Sequence, residues 1–227
     1  MRFSRSELIF GETALKKLSH TRVAVFGLGG VGGYALEALA RAGVGEIDII
    51  DSDTVDVTNI NRQLIALTST VGMKKTEIFR NRIKDINPDC RVNVHDVFYL
   101  PERAEEFEFD KFDYVVDAID TVTAKIDLAV RCTEKGIPII SSMGTGNKLD
   151  PSTLQVADIS KTHTCPLAKS VRKRLRMAGI EKGVAVVFST ESPIFASKEA
   201  VPGSMVFVPA SAGLLIASHI VRKLIGV

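Results

Sequence analysis

The sequence predicts an α/β protein: a Rossmann-like, doubly wound, mainly parallel sheet that continues into a mixed, partly antiparallel C-terminal half. Three observations carry this expectation. Short apolar runs alternate with helix-length segments up to about residue 146, the pattern of a parallel sheet covered by helices on both faces. The glycine-rich GLGGVG stands between the first apolar run and the helix after it, and an aspartate closes the second run, as in a nucleotide-binding strand–turn–helix unit. After Gly146 the apolar runs are joined by irregular connections, so the regular alternation ends there.

The N-terminal MRFSRSELIFGETALKKL is amphipathic and lacks the apolar block and cleavage site of a secretory signal. RVAVFG (22–27) predicts the first strand, followed by a helix over 31–42. EIDIID (46–51) predicts the second strand, and KKTEIFRNRIKDIN (74–87) a charged helix closed by Pro88. Strands are expected over 91–98 and 112–120, then a helix near 122–135 and a strand within 136–144. In the second half, strands are expected over 154–160, 183–189 and 204–209, with a helix over 166–178. The closing ASAGLLIASHIVRKLIG has apolar positions every three to four residues, which predicts a helix packed on the body of the protein. No repeat or low-complexity linker interrupts the chain, so one continuous domain over 1–227 is expected. Its nucleotide-binding half covers 1–146 and its substrate-binding half 147–227.

Composition narrows the function. Charged residues make up 25% of 227 and the net charge is +2, so any nucleic-acid footprint must be local. No apolar run reaches the roughly 18 residues that span a membrane. Cys90, Cys132 and Cys165 form no CxxC pair, which argues against a disulfide framework or a cysteine zinc site and points to a reducing cytoplasm. His20, His95, His163 and His219 show no ligand spacing, so structural or surface roles are expected for each.

Gly27, Gly29 and Gly32 satisfy GxGxxG. Such a loop gives a tight turn, close backbone approach to phosphate and a helix N-terminus that favours an anion. Asp51 lies 19 residues beyond Gly32 at a strand end, suited to ribose hydroxyls. These residues indicate a nucleotide without saying which, and an NAD-dependent oxidoreductase or NAD-sensing module is the default. DSDTVDVTNINRQ (51–63) argues for a triphosphate instead. A dinucleotide's pyrophosphate is met by the glycine loop, whereas β and γ phosphates need further cations. Asn59, Arg62 and Lys75 are placed to supply them. Taken singly, each has a plainer role: a helix cap, a surface ion pair and a solvated helix face.

Together these motifs resemble the adenylating enzymes of the ubiquitin-activating superfamily. The shared pattern is GxGGxG at Gly27 to Gly32, D-x-D at Asp51 and Asp53, N-x-x-R-Q at Asn59, Arg62 and Gln63, G-x-x-K at Gly72 and Lys75, and D-x-x-D at Asp117 and Asp120. The resemblance implies the adenylation fold, ATP as the bound nucleotide and, usually, a homodimer. It implies that Gly29 and Gly30 back the phosphates and that Asp51 holds the ribose. Asn59, Arg62 and Lys75 would bind the triphosphate and Gln63 would join the cofactor site, with Arg62, Lys75 and Asp120 the catalytic set. Asp120 would bind Mg2+, with Asp53 a weaker candidate. The turn Phe98–Leu100 and the edge Asp117–Asp120, including Ala118 and Ile119, would flank adenine. Arg5 would be the counterpart of an arginine that reaches the partner subunit's nucleotide.

The sequence lacks the two CxxC pairs of sulfur-carrier activators, and its 227 residues are expected to leave no room for a catalytic-cysteine domain. Its RSELIFG, THTCPLAKSVRKRLRMAGI, VVFSTESP and FVPASAGLLIASHIVRKL are similar to the dehydratases that act on threonylcarbamoyladenosine in tRNA. That resemblance implies ATP-dependent activation of the modified base's carboxylate, ring closure from within the same side chain, and tRNA as partner. A sulfur-relay protein is a further partner it allows. The alternative is an activator of a small ubiquitin-like sulfur carrier. Cys165, with Lys169 and Arg172 nearby in sequence, has the neighbours of an activated thiol, though a lone cysteine before a proline is usually incidental. Lys169, Arg172, Lys173 and Arg176 share one face of the 167–176 helix while Leu167, Val171 and Leu175 form an apolar stripe, which predicts a tRNA-facing surface.

Overall fold

Strand β1 (Arg22–Phe26) is buried along four of its five residues, which requires a sheet covered on both faces. In the computed structural model, which describes residues 2–194 and 202–227, β1 pairs in parallel with β2 (Glu46–Ile50) and with β4 (Tyr114–Asp117). Outside β2 lies β3 (Arg91–His95). Outside β4 follow β5 (Ile139–Ser142), β7 (Ala185–Ser189) and, antiparallel to β7, the edge strand β6 (Leu154–Asp158). The order is β3-β2-β1-β4-β5-β7-β6. Strand order therefore reverses between β1 and β4, and at such a switch point a crevice opens beyond the carboxyl ends.

Alternation along β1 divides the core. Val23 and Val25 join one cluster, with Ile47, Phe79, Ile83 and Ile216. Ala24 and Phe26 join the other, with Phe107, Leu128, Val171 and Phe188. The first face is covered by α2 (Gly32–Ala42), α3 (Lys75–Ile86) and α6 (Phe207–Ile225), and the second by α4 (Val122–Glu134) and α5 (Pro166–Met177). Helix α1 (Ser4–Ser19) breaks its helical geometry at Gly11, where φ is +82°. A side chain at Gly213 of α6 would come within 2.4 Å of the Val31 carbonyl on α2, so this glycine lets the two helices touch.

Two expected strands change. Residues 204–209 are not a strand: α6 begins at Phe207, with Pro209 in its first turn, where a missing N–H leaves no bond unmade. Its buried Val208, Ala212, Ile216 and Ile220 recur every four residues. The strand expected over 91–98 ends at His95, and the chain beyond it turns along the crevice. By length and composition α6 is the one described helix long and apolar enough to cross a membrane. Its buried stripe lies against α2 and the sheet, as a core helix requires.

One buried carboxylate ties the β3 edge to the sheet centre. Asp48 accepts from Arg22 Nε at 2.7 Å and Nη2 at 2.9 Å, from Asn93 at 3.2 Å, and lies 2.8 Å from His95 Nε2. Burial pushes its pKa up, but the bonds from His95, Arg22 and Asn93 outweigh burial and leave it below the ordinary carboxylate value. A carboxylate with a lower pKa in the folded than in the unfolded chain stabilises above the unfolded value and loses that contribution as pH falls through the folded one. Asp48→Asn should therefore destabilise the fold near neutral pH by about 3 kcal/mol. The difference from wild type should shrink below about pH 4. Urea unfolding across a pH series measures this, and a gap constant with pH would count against it.

Candidate active site

The crevice is a cleft of about 530 Å³ whose walls come from the carboxyl ends of β1 to β5. Gly27 has φ +89° and a side chain there would sit 2.7 Å from the Ala118 carbonyl; at Gly32 it would sit 1.8 Å from the Gly27 carbonyl. These two are glycine because the loop could not otherwise close. At Gly29 and Gly30 the nearest atoms would be 3.9 and 3.4 Å away, so the protein itself leaves room for side chains. Their bareness exposes backbone to the cleft at the start of α2, whose N-terminus has no side-chain cap. Free amides and the helix dipole there form an anion cradle. Gly32 itself lies beneath the loop, outside the lining, because it packs on the Gly27 carbonyl.

Asp51 clamps this loop. Its Oδ2 accepts from the Leu28 N–H at 2.6 Å and its Oδ1 from the Asp53 N–H at 2.8 Å. It lines the cleft, and each oxygen keeps a lone pair for a ligand hydroxyl. Beyond it, residues 57–59 form a short 3-10 turn. Asn59 does cap this turn, its Oδ1 accepting from the Asp56 N–H at 3.1 Å; its Nδ2 has no partner among the described residues. Arg62 Nη1 donates to the Thr58 carbonyl and to Asn61 Oδ1, each at 2.9 Å. The rest of its guanidinium has no partner among the described residues, so it is not held in a surface ion pair. Gln63 Oε1 is buried without a hydrogen-bond partner, on the cleft wall. An orphaned acceptor costs about 1–3 kcal/mol, a cost that a donor from a bound molecule removes.

Lys75 opens α3 and is only 4% exposed, so it is not on a solvated face. Its Nζ meets Asp53 Oδ2 at 2.8 Å. Asp120 is exposed in the cleft, and its one side-chain bond is a long one, from Thr121 Oγ1 at 3.4 Å. Among the described residues no three His, Cys, Asp or Glu gather as a metal cage. A single free carboxylate beside an anion cradle suits Mg2+, which keeps waters and completes its shell with phosphate oxygens. Ala118 and Ile119 form one wall with Asp120, and Val97, Phe98 and Tyr99 the other. Tyr99 is fixed by its hydroxyl, which donates to Asp127 at 2.6 Å, and by its ring, edge-on to Phe26. Burial, with Asp127 beside it, pushes the phenol well above its ordinary pKa and keeps it neutral.

Several expected residues lie elsewhere. Leu100 is outside the lining because it turns away to begin the 3-10 segment Pro101–Glu106. Asp117 faces the core rather than adenine, bonded to Lys125 and Ser141. Arg5 lies on exposed α1 and Cys165 is buried at the start of α5, both outside the lining. Burial raises the Cys90 and Cys132 thiols to about 11 and about 12. None of the four histidines lines the cleft. Thr145, Ser204 and Pro209 do line it, although no sequence signal marked them. Asn61 Nδ2 donates to the Ser204 carbonyl at 2.9 Å, a contact between the two halves that only the tertiary fold creates.

Helix α5 docks through Ala168, Val171 and Leu175, with Leu167 half-buried. Lys169, Lys173 and Arg176 are exposed. Arg172 is not: its Nη1 donates to the Thr162 carbonyl at 2.7 Å and to the Thr162 hydroxyl. It pins the helix to the segment after β6, so three of the four expected cations are free.

The sequence matches the ThiF family over residues 3–227. A tRNA threonylcarbamoyladenosine dehydratase of Bacillus subtilis (strain 168) is 49% identical, over 98% of this chain and 94% of its own. The crystal structure of the E. coli tRNA N6-threonylcarbamoyladenosine dehydratase TcdA with AMP is similar at a TM-score of 0.94 and 40% identity, covering 99% of this chain and 94% of that one. The same enzyme's complex with ATP gives 0.92 and 39%, at the same coverage. An adenylyltransferase and sulfurtransferase of Lodderomyces elongisporus is 35% identical over 72% of this chain but only 36% of its own.

Proposed function

The chain belongs to the ThiF family, and on that premise we propose that it dehydrates threonylcarbamoyladenosine in tRNA at the expense of ATP. The observation that carries this reading is one cleft that joins an anion cradle and a clamped ribose-side carboxylate to Asn59, Arg62 and Lys75. A nicotinamide dinucleotide would leave those three without an anion to meet.

The chemistry follows from the leaving group. A carboxylate resists acyl attack because it would have to expel oxide. A carboxylate oxygen of the modified base attacks the α-phosphorus of ATP, the bond to the β-phosphate oxygen breaks, and pyrophosphate departs. A nucleophile of the same side chain then attacks the acyl carbon, AMP leaves with the former carboxylate oxygen, and the nucleophile's proton passes to solvent. One water is lost overall. Because the nucleophile is tethered, proximity replaces a catalytic cysteine. All three cysteines are buried, so the reading gives neither a thiol intermediate nor a sulfur-relay partner a task. It is favoured over activation of a sulfur carrier because the dehydratase relative matches 98% of this chain and 94% of its own length, whereas the sulfurtransferase matches 72% and 36%.

The residues take these roles. Gly29 and Gly30 offer backbone to the phosphates in the loop that Gly27 and Gly32 close, and Asp51 binds the ribose. Asn59, Arg62 and Lys75 meet the triphosphate, Gln63 lies beside them on the cleft wall, and Arg62 and Lys75 stabilise the charge on departing pyrophosphate. Val97 to Tyr99 face Ala118 and Ile119 across adenine. Asp120 would hold Mg2+, which supplies charge neutralisation on the phosphates; Asp53 holds Lys75 in place. The chain acts as one adenylation domain in a reducing cytoplasm, where its three thiols stay free.

Replacing Arg62 or Lys75 with alanine should slow tRNA-dependent AMP release by about a hundredfold or more, the scale of losing one preorganised transition-state donor. Turnover near wild type in both variants would mean that the cleft has been misread.

The exposed cations of α5 face tRNA in this reading. Lys169→Gln, Lys173→Gln and Arg176→Gln together should weaken tRNA binding, flatten its log–log salt dependence by about one unit per lost contact, and leave ATP binding intact. Binding unchanged across a salt series would reduce α5 to a solvated face. Arg172 is left in place because it holds the helix.

A homodimer fits the exposed apolar residues of α1, Leu8 and Ile9, which are 82% and 83% accessible, and Leu67, Val71 and Met73 in the segment before α3. Sedimentation at micromolar concentration should give twice the chain mass. A fully active monomer would contradict it.

A further inference from the structure

Asp117 and Lys125 form a fully buried ion pair beneath the cleft, their side chains 0% and 1% exposed. Lys125 Nζ lies 3.0 and 3.1 Å from the two carboxylate oxygens and 3.3 Å from Ser141 Oγ. Its three protons therefore have three acceptors. Ser141 donates to Asp117 Oδ2, and the Ile119 N–H donates to Asp117 Oδ1 at 3.2 Å. The trio joins the end of β4, the first turn of α4 and β5. None of the three lines the cleft, yet Ala118, Ile119 and Asp120, the residues that follow Asp117, all do.

Stability alone does not account for such a trio. Burying two ions costs several kcal/mol each, and well-packed apolar replacements are often neutral or stabilising. What charged and hydroxyl groups give that leucines do not is direction: each bond fixes an angle as well as a distance. Here the fixed object is the Asp117 carboxylate, and what it holds is the backbone of the turn that carries Asp120. We propose that Lys125 and Ser141 are positioning residues that lock Asp117 so that the 118–120 turn presents Asp120 to the nucleotide's metal. This rests on the reading of Asp120 as the Mg2+ ligand.

The test is ATP binding by calorimetry across a magnesium series, with thermal melting alongside. Asp117→Asn with Lys125→Met removes both charges without stranding either one. This double variant should melt close to wild type, while the magnesium needed for half-maximal ATP binding rises about ten- to hundredfold, the range for losing a group that orients a metal ligand. Ser141→Ala should raise it by a smaller factor. Asp120→Asn in the same series separates the two readings. A magnesium requirement unmoved by Asp120→Asn overturns the metal assignment. A requirement moved by Asp120→Asn but wild-type in the folded double variant and in Ser141→Ala overturns the positioning role alone. Should the double variant fail to fold, Ser141→Ala decides: a wild-type requirement there overturns the proposal, and a raised one at unchanged melting supports it.

Discussion

The site depends on one clamp, the Asp51 carboxylate between the Leu28 and Asp53 amides at 2.6 and 2.8 Å. One oxygen holds the glycine loop and the other holds the start of the segment that leads to Asn59, Arg62 and Lys75. Two stretches of backbone, one rich in free amides and one carrying cations, are thus fixed relative to each other by a single side chain at the end of β2. The Gly27 N–H reinforces this by donating to the Ile50 carbonyl at 2.9 Å. Because the loop closes only where Gly27 and Gly32 lack side chains, the clamp has one geometry to hold. In the function proposed above, anion cradle and cations then act together without reorganising when charge develops, which is the source of electrostatic catalysis.

The two halves of the chain meet around that clamp. Pro209 lies against Gly30, a side chain there falling 3.4 Å from its Cβ, and Asn61 reaches the Ser204 carbonyl. Helix α6 brings Pro209 there because Gly213 lets it lie directly on α2. The packing of two helices on one face of the sheet therefore sets the wall of a cleft at the sheet's end. Burial of Ile216 and Ile220 anchors α6 from the core side, so apolar packing far from the cleft determines its shape.

Much of this was legible in the sequence where period and local chemistry coincide. The alternation that predicted the parallel sheet is a consequence of burial on both faces, and β1, β2, β4 and β5 show it directly. The glycine loop was readable because its demands are local: positive φ at Gly27 and no room at Gly32. The strand expected at 204–209 was misread because a short apolar run has no period to separate strand from helix. Leu100 and Asp117 were misplaced for a related reason. Neighbours in sequence point to opposite sides of a turn, and motif spacing cannot say which one faces the cleft. Arg172 shares a helix face with three free cations, yet only the tertiary position of Thr162 makes it an anchor. Thr145, Ser204 and Pro209 carry no local mark at all.

The pairing of Lys75 with Asp53 shows how a cleft built for anions stays stable without one. Lys75 is 4% exposed, and a buried ammonium without a counter-charge would destabilise the fold. Asp53 meets it at 2.8 Å, but the Asp53 side chain is itself 59% exposed. Water screens that carboxylate, so the pair is asymmetric: the lysine is held by burial, its partner mostly by solvent. An incoming phosphate need not break a buried bond on both sides, because Asp53 can return to water at little cost while Lys75 stays where it is. Arg62 reaches the same end differently, spending one guanidinium nitrogen on Thr58 and Asn61 and leaving the rest of the fork for the ligand. In the proposed reading both cations are thus oriented before the nucleotide arrives, and neither has its charge fully satisfied by the protein.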